Sequence, residues 1–304
     1  MSIVLLTGGI GGAKLALGLQ MLGRERVTAI VNTADDFEHL GLSISPDIDT
    51  LTYTLAGLDN RELGWGRADE SWNFMAALKV LGAADWFMLG DRDLALHVER
   101  TRRLRSGESL SRVTDDFARR LGAGLAIAPM SDDPVRTMVI TDRGGMTFQR
   151  YFVAERCAPV LRSVRFAGAS AARPSARALA ALADPSLEAI IIAPSNPWLS
   201  IDPILAVPGM REAIVAARAP VVAVTPLPGG RAVKGPTAKI MSELNLALSV
   251  ESIAAHYEGL IDALLIDAAD PAIVLSHARC DTVMHDDADR IRVARATLAL
   301  AGAR

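Results

Sequence analysis

The chain opens Ile3-Val4-Leu5-Leu6-Thr7-Gly8-Gly9-Ile10-Gly11-Gly12-Ala13-Lys14, an apolar strand pattern that runs straight into glycines. Four glycines fall in the five positions 8–12, between the strand and a helix pattern. A strand–turn–helix joint with so few side chains lets a phosphate approach backbone N–H groups and the positive end of a helix dipole. The joint is not a Walker A loop, because Lys14 is followed by Leu15 and no Ser or Thr is placed to reach a magnesium ion. It is also an imperfect dinucleotide fingerprint. Counted from Gly9, the third glycine of that pattern is replaced by Lys14. A plain βα turn holding no ligand is the bland reading, but such a turn needs fewer glycines. The opening therefore points to a phosphorylated ligand, a nucleotide foremost.

Composition bounds the rest. The chain has 304 residues, enough for a large core in one or two domains. Half of it is hydrophobic, yet no apolar run approaches the ~18 residues of a membrane span. Residues 3–6 are too short, and lack the basic flank, for a signal peptide. Cys157 and Cys280 are the two cysteines, far apart and without metal-ligand spacing, which suits a reducing cytoplasm. A net charge of −3 gives no general attraction to nucleic acid, and aromatics are too few for a base-stacking platform.

Strand and helix patterns alternate. Residues 12–23 read as a helix and Val27–Asn32 as a second strand; Glu70–Leu81 and Leu110–Leu121 read as amphipathic helices. Arg136–Thr141 and Met146–Val153 read as strands around the turn Asp142-Arg143-Gly144-Gly145. Leu187–Ala193 and Pro220–Val224 are solid apolar strands with a helix near Met210–Ala217 between them. Leu260–Asp267 and Ala272–Leu275 are further apolar runs, and Asp286–Leu300 is a closing helix. This predicts an α/β fold: a Rossmann-like, doubly wound, mostly parallel sheet with a helical and hairpin insertion. Residues 1–57 and 186–304 are expected to form the nucleotide-binding core, and 58–185 an inserted cap.

Ligands of such sheets sit at the carboxyl ends of the strands, and the unusual polar clusters fall there. They are Asn32-Thr33-Ala34-Asp35-Asp36, Pro194-Ser195-Asn196-Pro197-Trp198, and the loop Thr225–Thr237 with Arg231, Lys234 and Pro236. Pro236 suits the first position of a helix, behind two cations, so a second anion site is one reading and a plain turn the other. Ser45-Pro46-Asp47-Ile48-Asp49-Thr50 leads into a helix pattern. Its acids either match the helix dipole or form a carboxylate pair for a metal or a hydroxyl proton. Gly90-Asp91-Arg92-Asp93 is either a local ion-pair cap or a clamp for a polar ligand. His39 and His97 are lone histidines without metal spacing, and both read as structural or peripheral.

The set Gly8–Lys14, Asn32–Asp36, Ser45–Thr50, Gly90–Asp93, Ser195-Asn196-Pro197 and Val233-Lys234-Gly235-Pro236 resembles the 2-phospho-L-lactate transferase family of coenzyme F-420 synthesis. The likeness spans most of the chain, in order, and Trp86–Ala95 is similar to the actinobacterial members. The resemblance implies a Rossmann-like sheet, a magnesium requirement and a homodimer. It implies transfer of a phospholactyl or phosphoenolpyruvyl group from a guanosine diphosphate donor to the ribityl hydroxyl of a deazaflavin, Fo, with release of GMP. It places Asp49 and Arg92 at Fo, and Asp91 is expected beside them. Thr7, Gly8, Gly9, Gly11, Gly12, Lys14, Ser195, Asn196, Pro197 and Lys234 are the candidate nucleotide and phosphate contacts, and Asp47 and Asp49, by their chemistry, the candidates for magnesium and catalysis. The small-molecule partners expected are thus Fo and a guanylylated phospho-acid.

The residues suit that reaction. Phosphoryl transfer asks mainly for positioning and charge neutralisation, and no Ser-His or Cys-His nucleophile set is evident. Magnesium is a hard cation that takes oxygen ligands such as Asp47 and Asp49. The wider superfamily also resembles non-enzymatic regulators that bind sugar nucleotides, which the glycine turn alone does not separate from the transferases. The Asp47, Asp49 and Asp91–Asp93 acids favour the transferase. A dehydrogenase shares the strand–glycine–helix start but fails on the third glycine and on a proton-relay histidine.

Overall fold

The computed structural model describes residues 1–24, 26–230 and 237–303. Its first third runs β1 (Ser2–Thr7), α1 (Gly9–Met21), β2 (Val27–Val31), β3 (Phe37–His39), β4 (Leu42–Ile44), α2 (Pro46–Leu55), α3 (Asn73–Val80) and α4 (Asp91–Arg105). The middle runs α5 (Leu110–Leu121), β5 (Ala126–Pro129), β6 (Arg136–Thr141), β7 (Gly144–Thr147), β8 (Leu161–Ala167), α6 (Ala176–Leu182) and β9 (Leu187–Ile192). The last part runs α7 (Asp202–Leu205), α8 (Met210–Ala216), β10 (Val221–Val224), α9 (Thr237–Glu243), α10 (Val250–His256), β11 (Ala263–Asp267), β12 (His277–Cys280) and α11 (Asp287–Leu300).

Seven strands form one parallel sheet in the order β12-β11-β10-β9-β1-β2-β5. Chain order reverses between β1 and β9, the switch point where doubly wound sheets bind ligands. Apolar cores cover both faces, which is why the central strands are apolar throughout rather than alternating. On one face Leu5, Ala29 and Ile191 pack with Leu15 and Leu19 of α1, Leu51 of α2 and Val293 of α11. On the other, Val4, Leu6, Ile30 and Ile192 pack with Ala178 of α6, Met210 and Ile214 of α8 and Ile253 of α10.

Several expectations shift. Helix α1 begins at Gly9 rather than at residue 12, so the glycines form its first turn. The stretch 58–185 is not wholly an insertion: its β5 pairs with β2 as an edge strand of the main sheet, and α6 packs against that sheet. The short run Ala126–Pro129 carries no strand signal of its own, and pairing with β2 makes it one. The remainder of the stretch holds helices and the antiparallel sheet β7-β6-β8. Only Gly144–Thr147 of the second hairpin strand is extended, since Arg150–Ala154 winds into a π-helical turn. Ala272–Leu275 is loop, and the edge strand is the more polar His277–Cys280 that follows. Among the described residues no helix is long and apolar enough to cross a membrane.

Candidate active site

The site begins where β1 ends. Gly8 is extended and caps α1 without a side-chain hydrogen bond, and Gly9 turns with φ +66°, a conformation that favours glycine. Ser195, just beyond β9, braces the turn: its Oγ accepts from Gly8 N at 3.1 Å and donates to Gly8 O at 2.7 Å. A Cβ on Gly11 would lie 2.6 Å from Pro194 O, and one on Gly12 would lie 1.8 Å from Thr7 Oγ1. The loop after β9 therefore packs directly on the first turn of α1, and only glycine fits there. Helix geometry leaves the N–H groups of residues 10–12 without a partner inside α1, an anion-binding edge.

Asp47, in the first turn of α2, closes this edge. Its Oδ1 accepts from Gly9 N at 2.8 Å and its Oδ2 from Asn32 Nδ2 at 3.0 Å. Burial pushes the Asp47 carboxyl up to about 6, although the Asn32 and Gly9 hydrogen bonds pull the other way. Its neighbours are also buried acids. Asp36 Oδ2 accepts from Ser45 Oγ at 2.7 Å; burial raises this group to about 7, offset in part by that hydrogen bond and by the Arg136 charge. Burial, then the negative charge of Asp47, raises Asp35 well above the ordinary carboxylate value. Asp35 Oδ1, Asp36 Oδ1, Thr7 Oγ1 and Thr33 Oγ1 are buried and make no hydrogen bond. Buried polar groups are rarely left so, which makes this cluster a candidate ligand site.

Asp49, one turn into α2, has a different setting. Arg100 of α4, 1% exposed, grips both its oxygens, with Nη1 at 3.0 Å from Oδ2 and Nη2 on Oδ1. The pair Asp47 and Asp49 thus divides: Asp47 faces the glycine turn, and Asp49 faces α4.

The remaining expected residues are placed as follows. Asn196 caps the turn at Pro197–Ile201 by accepting from the N–H groups of Trp198 and Leu199, and its Nδ2 donates to Thr237 Oγ1 at 3.0 Å. Lys14 points away from the turn and hydrogen-bonds Met284 O. Asp91 caps α3, accepting from Asn73 N, Phe74 N and Ser71 Oγ. Arg92 is exposed, with Nη1 3.9 Å from Asp69 Oδ2. Lys234, with Arg231 and Pro236, lies outside the described residues. Arg100, His97 and Tyr53 are not singled out as site residues by sequence, and Asp93 only as part of the Gly90–Asp93 clamp; the structure packs the four between Asp49 and α4. The signal available was the spacing of 93, 97 and 100, one face of a helix.

Among the described residues no group of three or more His, Cys, Asp or Glu side chains is arranged to hold a metal by itself. Magnesium commonly takes one or two carboxylates and completes its shell with water and substrate phosphates. Asp47 fits that pattern, because it stands at the anion-binding edge of α1, where a phosphate beside it needs a cation between them. Asp49, with both oxygens on Arg100, fits it less well.

The strand order and the braced glycine turn define a doubly wound α/β protein whose candidate ligand site lies at the β1/β9 switch point. The chain belongs to the 2-phospho-L-lactate transferase CofD family, whose family model matches residues 3–300. It is similar to a phosphoenolpyruvate transferase of Kitasatospora aureofaciens, 42% identical over 316 residues, covering 99% of this chain and 98% of that protein. Similar too are phosphoenolpyruvate transferases of Streptomyces coelicolor, 40% identical with 89% and 86% covered, and of Mycobacterium avium, 36% identical with 99% of each covered. A crystal structure of a UPF0052 family protein from Bacillus halodurans has the same fold, with TM-score 0.64, 17% identity and 98% of each chain covered.

Proposed function

We propose that this chain is a transferase of coenzyme F-420 synthesis that moves a phosphoenolpyruvyl or phospholactyl group from a guanosine diphosphate donor to the ribityl hydroxyl of Fo. The hydroxyl oxygen bonds to the outer phosphorus, the bond from that phosphorus to the GMP oxygen breaks, and the hydroxyl proton leaves. Membership of the family and the names of the relatives support this reading over a sugar-nucleotide regulator, and those names favour the enolpyruvyl donor. The observation that carries it is the braced glycine turn beside buried, underpartnered acids at the switch point.

Each residue then has a task. The N–H groups of residues 10–12 hold the diphosphate, and Ser195 fixes the turn that presents them. Asp47 would hold magnesium, which would supply neutralisation of phosphate charge. Asp49 and Arg92 contact Fo, as the family likeness implies. The site works by positioning and electrostatics, with no covalent intermediate.

The test is to incubate the protein with Fo, magnesium and either donor. GMP and a phosphodiester of Fo are expected, with the enolpyruvyl donor turned over faster. If neither donor reacts while a sugar nucleotide raises the melting temperature, the regulator reading stands instead.

A further inference from the structure

Asp49 and Arg92 are read as touching one acceptor, yet they sit on different helices. Something must fix α2 against α4. Arg100 Nη1 donates to Asp49 Oδ2 at 3.0 Å, to Ser43 O at 3.4 Å and to His97 Nδ1 at 3.3 Å. A guanidinium only donates, so Nδ1 of His97 is the lone-pair nitrogen and the ring proton is on Nε2. That Nε2 lies 3.1 Å from Asp93 Oδ2. The other Asp93 oxygen accepts from the Tyr53 hydroxyl, and Tyr53 is one turn beyond Asp49 on α2. The residues Asp49, Arg100, His97, Asp93 and Tyr53 thus lie in one contact chain between α2 and α4; its His97–Asp93 link is close but lacks hydrogen-bond geometry, and Arg100 and His97 are each 1% exposed. A few residues before His97, at the start of the same helix, stands the exposed Arg92.

We propose that Arg100 is the positioning residue for Asp49, and that with His97 it sets α4 in register against α2 so that Asp49 and Arg92 face one Fo molecule. This deepens the proposed function and rests on it. A helix contact needed only for stability is served as well by apolar side chains as by buried charges. Here one buried guanidinium, Arg100, grips both oxygens of a carboxylate at the ligand end of α2, with the His97 ring against it. Arg100 also acts at a distance from the glycine turn, which Asp47 and Ser195 hold independently.

The test is a double-mutant cycle on the full-length protein with Arg100→Gln, Asp49→Asn and the double variant. Steady-state constants for Fo are read beside GDP affinity by calorimetry. Arg100→Gln is expected to lower kcat/KM for Fo by ~10- to 100-fold, the scale of a misplaced contact group, with GDP affinity changed less than about twofold. In the Asp49→Asn background the same substitution should have little further effect, because Arg100 works through Asp49. Arg100→Lys, which keeps the charge, should recover part of the loss. Should Arg100→Gln fail to fold, the double variant carries no unpaired buried charge at this position. Its equality with Asp49→Asn supports the proposal. A further tenfold loss in the double variant, or a parallel loss of GDP affinity, overturns it. A wild-type protein that binds no Fo while still binding GDP removes the function proposed above, and the acceptor register with it.

Discussion

At the scale of single residues, the glycines of the turn act through what they leave out. A Cβ on Gly11 meets a backbone oxygen, Pro194 O, at 2.6 Å, and that oxygen cannot retreat without moving β9. Gly11→Ala should therefore abolish GDP binding in calorimetry while circular dichroism keeps its α/β signature. Unchanged affinity would move the nucleotide elsewhere. Asp49→Asn removes charge at constant size and should slow turnover by ~10²-fold or more, leaving GDP binding nearly intact. Wild-type turnover in that variant would make Asp49 only a helix-start acid.

Elements are joined here by crossed caps. Glu70, just before α3, accepts from Arg92 N and Asp93 N and so caps α4. Asp91, in the first turn of α4, caps α3 in return. The sequence allows the acids of Gly90–Asp93 to be a local cap for their own helix. The structure has the caps exchanged, because the two N-termini lie side by side. Asp91→Ala should lower the urea midpoint at an unchanged m-value and move the KM for Fo less than Arg92→Ala does. A larger KM effect from Asp91→Ala would give Asp91 a ligand contact beyond its cap.

For the whole molecule, the buried acids make stability depend on pH. Asp36 at about 7 and Asp47 at about 6 keep their protons in the folded state when the unfolded chain has lost them. Folding is then favoured at low pH, and that contribution declines as pH rises from the ordinary carboxylate value of ~4 through 7. Thermal unfolding should show a lower melting temperature at pH 8 than at pH 5 from this source, and Asp36→Asn should flatten the difference. Magnesium with GDP should restore stability at pH 8, since cations near the acids favour their charged forms. A melting temperature that rises steadily from pH 5 to 8, equally in wild type and Asp36→Asn, would contradict this.

The sequence determined the fold class, because it rests on local signals, and it pointed to the strand ends where the ligand site is proposed. Continuous apolar strands such as Leu187–Ile192 declare a sheet covered on both faces, and a glycine run after β1 declares a turn that something approaches closely. Residues 32–36, 45–50 and 195–197 were legible for the same reason, as polar clusters at strand ends. What each does was decided only in three dimensions. Ser195 braces Gly8 across 187 residues, and Arg100 takes Asp49 across 51. His97 reads as structural or peripheral by sequence, and the fold buries it in that network. Asp47 and Asp49 look equivalent two positions apart, yet a helix turns by ~100° per residue, so α2 aims one at the glycine turn and the other at α4. Hydrogen bonding selects partners by distance in space, and a helix or strand pattern records only the direction in which a side chain sets out.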